Sequence, residues 1–204
     1  MAWALLQLAT VTGIARFATA AHAAMAYERH LFVADQGNWP DLREHDAAVP
    51  TATAVGQTCM TAWCHGAPGI GLGRLTSLPC LDEREMRQDI AVALETTRAH
   101  GFSSNHSLCH GAFGNLDLLI EARVRLGRAD LQAHINAIAA TLVADMRQNG
   151  WRCGNPLGVE SPGLMTGLAG IGYELLRLAE PTRVPSVLAL APPSDTGAER
   201  RPAP

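Results

Sequence analysis

Three times along this chain a stretch of helical periodicity is opened by a pair of glycines three residues apart: Gly66-Ala67-Pro68-Gly69, Gly111-Ala112-Phe113-Gly114 and Gly167-Leu168-Ala169-Gly170. The leading glycines are 45 and 56 residues apart, the length of one helical hairpin with its loops. Recurrence at such a period marks a repeat architecture. Residues without a Cβ let helix N-termini crowd one another, which suits a ring of inner helices better than a straight stack. Turn punctuation would explain any one pair, but three copies of one spacing weigh against it. The glycines therefore predict an all-α chain of helical hairpins.

The apolar pattern agrees. Trp3, Leu5, Leu6 and Leu8 predict a first helix that stops near Gly13, and Phe17, Ala20, Ala21, Ala24, Met25 and Leu31 a second over 17–33. Gly37-Asn38-Trp39-Pro40-Asp41 breaks the period. Residues 35–58 then read as a long loop, of the kind that carries function in compact domains. Helical pattern resumes over 70–78 and again over 82–100, with Asp82 as N-cap, Glu83 and Glu85 in the first turn and Gly101 as the stop. Further helices are expected over 113–126, ended by Gly127, over 130–148, ended by Gly150, and over 164–178, ended by Pro181. Residues 184–190 read as one short extended segment, and the proline- and charge-rich stretch 191–204 as a frayed tail.

The first two glycine pairs are each preceded by the same two side chains, in Cys64-His65-Gly66 and Cys109-His110-Gly111. Thiolate and neutral imidazole are the ligands zinc prefers. Neighbours on a regular helix point ~100° apart, so both members of such a pair reach one ion only where the backbone is irregular, as beside glycine. Two arrangements compete. Cys64, His65, Cys109 and His110 could close a four-ligand structural site, or three of them bind and the fourth position receives a substrate. The spacing does not decide between them. An open site with two protein thiolates keeps an incoming thiolate nucleophilic, and so suits thiol alkylation or addition better than peptide hydrolysis.

Composition narrows the classes. Five cysteines are an odd number, against a disulfide scaffold. Cys59, Cys80 and Cys153 lack a His-Gly partner and read as ordinary buried or half-buried thiols. A net charge of -3 gives no basic footprint for nucleic acid. The apolar start lacks the positive region of a signal peptide, its first cation being Arg16. No stretch approaches the ~20 unbroken apolar residues of a membrane span, and a cytoplasmic protein is expected.

These residues carry a resemblance. Residues 62–70, Ala-Trp-Cys-His-Gly-Ala-Pro-Gly-Ile, look like the first zinc motif of the lanthionine synthetase cyclases. Residues 105–111, Asn-His-Ser-Leu-Cys-His-Gly, resemble the second, and 163–173 their C-terminal glycine motif. Gly37-Asn38-Trp39-Pro40-Asp41 and Gly150-Trp151-Arg152-Cys153-Gly154 look like the cyclase half of the bifunctional type 2 lanthipeptide synthetases. The likeness runs over residues 1–193, as one partial cyclase domain of the lanthionine synthetase C-like (LanC-like) kind followed by a disordered tail, 194–204. It implies a partial α/α toroid with Zn2+ at the mouth of the inner ring, held by Cys64, Cys109 and His110 and leaving His65 unbound. It implies the reaction as well: a cysteine thiolate of a dehydrated precursor peptide adds to dehydroalanine or dehydrobutyrine, closing a thioether ring. The resulting enolate needs a proton, and His65 and His106, which flank the ligands, are the nearest titratable candidates in sequence. Orientation of a ligand is their alternative role.

The chain also departs from the family. Its members carry a further His-Gly motif in an earlier repeat, and the present sequence begins at about the helix that should follow it. Where some cyclases place an arginine before the first zinc cysteine, Thr58, Cys59, Met60 and Thr61 stand here. The expectation is the C-terminal portion of a larger synthetase whose dehydratase and early hairpins are missing. Two other classes compete: a non-catalytic, zinc-stapled peptide-binding remnant, and another α/α-barrel enzyme such as a glycosidase. The latter needs two placed carboxylates. Asp117 and Glu121 stand at helical spacing, but read as a solvated face or as salt links.

Overall fold

The computed structural model describes residues 1–42 and 59–192. Residues 43–58, most of the expected long loop, and 193–204, most of the expected tail, lie outside the described residues. The described chain is all-α, with seven α-helices: α1 (Ala2–Thr12), α2 (Ala15–His30), α3 (Ala67–Ser77), α4 (Arg84–His100), α5 (Ala112–Arg125), α6 (Leu131–Asn149) and α7 (Leu168–Ala179). Each answers to a segment read from the periodicity. Among the described residues β pairing is confined to two isolated bridges, Val33 with Asn38 and Ala62 with His65.

The helices make an inner row and an outer row. α1 packs on α3, α3 on α5 and α5 on α7, while α2 backs α1, α4 backs α3 and α6 backs α5. The inner helices are those that open with paired glycines, α1 excepted. α5 is the centre of the core: every residue from Ala112 to Ala122 is buried, and Phe113, Leu116, Leu118 and Leu119 meet Leu72 and Leu75 of α3 and Ile171 of α7.

The second glycine of each pair has one structural duty. A Cβ built on Gly69, Gly114 or Gly170 would fall on the carbonyl oxygen six residues earlier, that of Trp63, Leu108 or Leu164 respectively. The loop entering each inner helix thus lies flat against the helix's own first turn, closer than any side chain allows. The repeat seen in the sequence is this contact made three times.

Four local expectations need correction. Asp82 does not cap α4, because its carboxylate is taken by the Arg87 guanidinium in two hydrogen bonds of 2.6 Å and the helix begins at Arg84. α2 stops at His30 rather than Val33, because Val33 and Asn38 pair around a short 3-10 turn and the Phe32 ring packs at a tilt against the buried Trp39. α7 begins at Leu168, since 164–166 is a turn. Residues 184–190 form no strand: 184 is a bend and 187–190 a turn, with Leu188 and Ala189 buried in the core.

That last segment is held by polar groups the sequence misrepresents. Asp117 and Glu121 do form salt links, but on a buried face rather than a solvated one. Arg177, itself buried, donates to Asp117 at 2.6 Å, to Glu121 at 2.5 Å and to the Val184 carbonyl at 2.8 Å. The Ser186 hydroxyl donates to the other Asp117 oxygen at 2.5 Å. Glu174 completes the cluster 3.9 Å from Arg177, with its Oε1 buried and without a hydrogen bond. Burial, then the neighbouring Asp117 and Glu121 carboxylates, push the Glu174 carboxyl well above its ordinary range, against the pull of Arg177.

Candidate metal centre

The loops entering α3 and α5 bring three donors together. The sulfurs of Cys64 and Cys109 and a ring nitrogen of His110 all lie within 4.8 Å of one another, each residue half-buried. Backbone bonds fix this approach. The Cys64 N–H donates to the Cys109 carbonyl at 3.1 Å, and the Cys109 N–H to the Met165 carbonyl at 2.8 Å, in the loop that enters α7. The three glycine loops are thereby stitched in order at one end of the inner row.

The His110 ring is oriented by main chain. Its Nε2 stands 2.9 Å from the Gly154 carbonyl. A carbonyl only accepts, so Nε2 carries the proton and Nδ1 keeps its lone pair for a ligand. Two thiols and one such imidazole are a donor set zinc takes, with Zn–S of about 2.3 Å and Zn–N of about 2.0–2.1 Å. Tetrahedral ligands at those lengths stand ~3.5–4 Å apart, inside the 4.8 Å that bounds the three donors.

Of the other expected site residues, His65 lies outside this cluster. Ala62 and His65 exchange two backbone hydrogen bonds, of 3.0 and 3.2 Å, in a tight turn. The His65 Nδ1 is 3.5 Å from an Asp41 oxygen, and its side chain is 24% exposed. Cys64 and His65 both line a cleft of about 660 Å³, whose apolar walls include Trp63, Ile70, Leu72 and Met165. His106 is fully buried. Its Nε2 donates to Asp145 at 2.8 Å and its Nδ1 accepts the Arg152 N–H at 3.0 Å. Burial, helped by the Arg152 charge, holds this imidazole below its ordinary range in spite of Asp145. Cys59 and Cys80 are half-buried and Cys153 is buried, and none belongs to the cluster.

Sequence reasoning passed over two supports. Asn38, buried in the Gly-Asn-Trp-Pro motif, accepts the Ala67 N–H at 2.7 Å on its Oδ1 and so caps α3 beside the cysteine loop, while its Nδ2 donates to the Met60 carbonyl at 3.3 Å. Asn115 donates to the Thr61 and Gly101 carbonyls, both at 2.8 Å, tying that loop to α5. The signal for Asn38 was its place in a motif; its partners, 29 and 22 residues away, were not readable.

Residues 1–189 match the family model described as lanthionine synthetase C-like protein. The chain belongs to the lanthionine synthetase C-like family. Among curated proteins it is similar to the lacticin 481/lactococcin biosynthesis protein LcnDR2 of Lactococcus lactis subsp. lactis, with 28% identity over 154 residues, 68% of this chain and 15% of that protein. The chain thus spans about 15% of the length of that relative. Both cysteine loops, their glycine pairs and the loop that orients His110 fall inside the lanthionine synthetase C-like match. None of the described helices is long and apolar enough to cross a membrane.

Proposed function

We propose that this chain is a zinc-dependent lanthipeptide cyclase module, in which Cys64, Cys109 and His110 hold the metal. The convergence of those three donors, of which Cys64 lines an apolar-walled cleft, carries the reading, and family membership supports it. Three protein ligands leave a position open, as catalytic zinc sites do. Bound there, zinc would supply the charge that keeps a substrate cysteine deprotonated at neutral pH.

The chain's own residues do the rest. The cleft receives a dehydrated precursor peptide, and its apolar walls keep water from the reacting sulfur. The peptide's cysteine sulfur forms a bond to the β-carbon of dehydroalanine or dehydrobutyrine. The π-electron pair moves to the α-carbon and its carbonyl, and the α-carbon then takes a proton. His65, on the cleft wall with Asp41 beside it, donates that proton and regains one from solvent. His106 has both nitrogens engaged inside the fold, and its part is a different one. On this reading the inner row of helices is a portion of an α/α toroid, and residues 1–193 form one unit.

The test is a dehydrated peptide bearing one cysteine, incubated with zinc-loaded protein in the cytoplasmic pH range. Loss of free thiol with no change of peptide mass is expected. Peptide binding with thiol content equal to the protein-free control would refute catalysis and favour a zinc-stapled binding module.

A further inference from the structure

We propose that His106 and Asp145 are positioning residues that aim His110 at the metal through the backbone of residues 152–154. The inference rests on the reading of Cys64, Cys109 and His110 as metal ligands.

The chain of contacts is continuous. Asp145, on α6, accepts the His106 Nε2–H at 2.8 Å. That bond places the ring's lone pair on Nδ1, where it accepts the Arg152 N–H at 3.0 Å. The His106 main-chain N–H donates to the Arg152 carbonyl at 2.8 Å. One residue thus grips both backbone groups of Arg152, and the Arg152 guanidinium returns to Asp145 at 2.5 Å. Two residues further on, Gly154 donates to the Thr166 carbonyl at 2.7 Å and accepts the His110 Nε2–H at 2.9 Å.

Gly154 sits against the ring it orients. A Cβ there would come within 2.8 Å of His110 Nε2 and 2.6 Å of the Ser107 hydroxyl oxygen. The Gly154 carbonyl is the acceptor that fixes the His110 tautomer, and its place depends on where Arg152 is held. A fully buried imidazole is also costly to keep without partners. An apolar residue would fill the space at less cost, but would leave Arg152 without its clamp.

The test measures metal affinity apart from activity. Zinc is titrated into the full chain against a chelating dye, and the ligand-field spectrum of the Co2+-loaded protein and its far-UV circular dichroism are recorded. Three variants are compared with wild type. His106→Ala removes the clamp. His106→Asn keeps an acceptor where Nδ1 stood. Asp145→Asn, at a side chain 23% exposed, keeps the shape and lets the His106 tautomer invert.

Zinc affinity is expected to fall about 10–100-fold in His106→Ala and about tenfold in Asp145→Asn, with an altered Co2+ spectrum and unchanged helix content. His106→Asn is expected to recover most of the loss. If His106→Ala does not fold, Asp145→Asn alone decides. Wild-type affinity and an unaltered Co2+ spectrum in the folded variants, even with a lower melting temperature, would overturn the positioning role. Cys109→Ala separates this from the underlying reading: a wild type that binds zinc, a Cys109→Ala that does not, and silent 106 and 145 variants would leave the centre standing and remove only the positioning. A wild type that takes up neither metal would remove both.

Discussion

The Cys64 main-chain N–H donates to the carbonyl of Cys109, 45 residues later, at 3.1 Å. Backbone and helix packing hold the two cysteine loops together, so the proposed metal is expected to add to a fold that forms without it. This differs from small zinc domains, in which binding energy is folding energy. Removing metal with a chelator should leave far-UV circular dichroism unchanged and lower the melting temperature. At a metal concentration 100 times its dissociation constant the stabilisation should be about 2.7 kcal/mol. Loss of helix on chelation would contradict this order of events.

Gly114→Ala tests the contact repeated three times. The added Cβ would meet the Leu108 carbonyl oxygen at the entry to the central helix, and backbone cannot retreat as a flexible side chain can. The expected loss is about 2–3 kcal/mol of stability, with zinc affinity reduced because Cys109 and His110 lie between the clashing atoms. Gly73→Ala, in α3 with open space around it, should be neutral or slightly stabilising. Urea midpoints of the two variants make the comparison.

The contrast between these glycines also explains what the sequence could tell. Helix count and the inner row followed from apolar period and glycine spacing, because both are local. The cysteine and histidine pairs were visible because each sits beside a glycine of the repeat. Partners distant in sequence were not visible. Asp82 looked like a cap until Arg87 claimed it, one turn into the helix. Asp117 and Glu121 looked like surface until Arg177, 60 and 56 residues on, folded over them. His65 and His106 looked alike beside their cysteines. Only packing gave one a cleft wall and the other a buried clamp.

His65→Asn addresses the proposed proton transfer. The side chain faces the cleft and lies outside the donor cluster, so metal content should be kept. Thioether formation should slow about 10²–10⁴-fold, the range of a lost general acid. Asp41→Asn, which leaves the imidazole in place, should cost less. Thiol consumption, read against zinc content of the same samples, checks both; an unimpaired His65→Asn enzyme would assign the proton to another donor.

Glu174→Gln should make the protein more stable at neutral pH. Arg177 faces three carboxylates and gives its close contacts to Asp117 and Glu121, leaving Glu174 at 3.9 Å with one oxygen unbonded. The folded state raises this carboxyl's affinity for its proton. The unfolded chain releases that proton at the usual value of about 4.3, so the folded state binds more protons above it. Stability from this group is accordingly present in full below that value and declines as pH rises through the raised folded value. Glutamine preserves the volume and removes the titration. Wild type and variant should therefore have similar urea midpoints at about pH 4 and diverge as the pH rises. At about pH 8 the variant should be ahead by about 1–2 kcal/mol, as when a neutral side chain replaces a poorly paired buried charge. A wild type that is the more stable of the two at pH 8 would mean that Glu174 is ionised and bonded to Arg177 in solution.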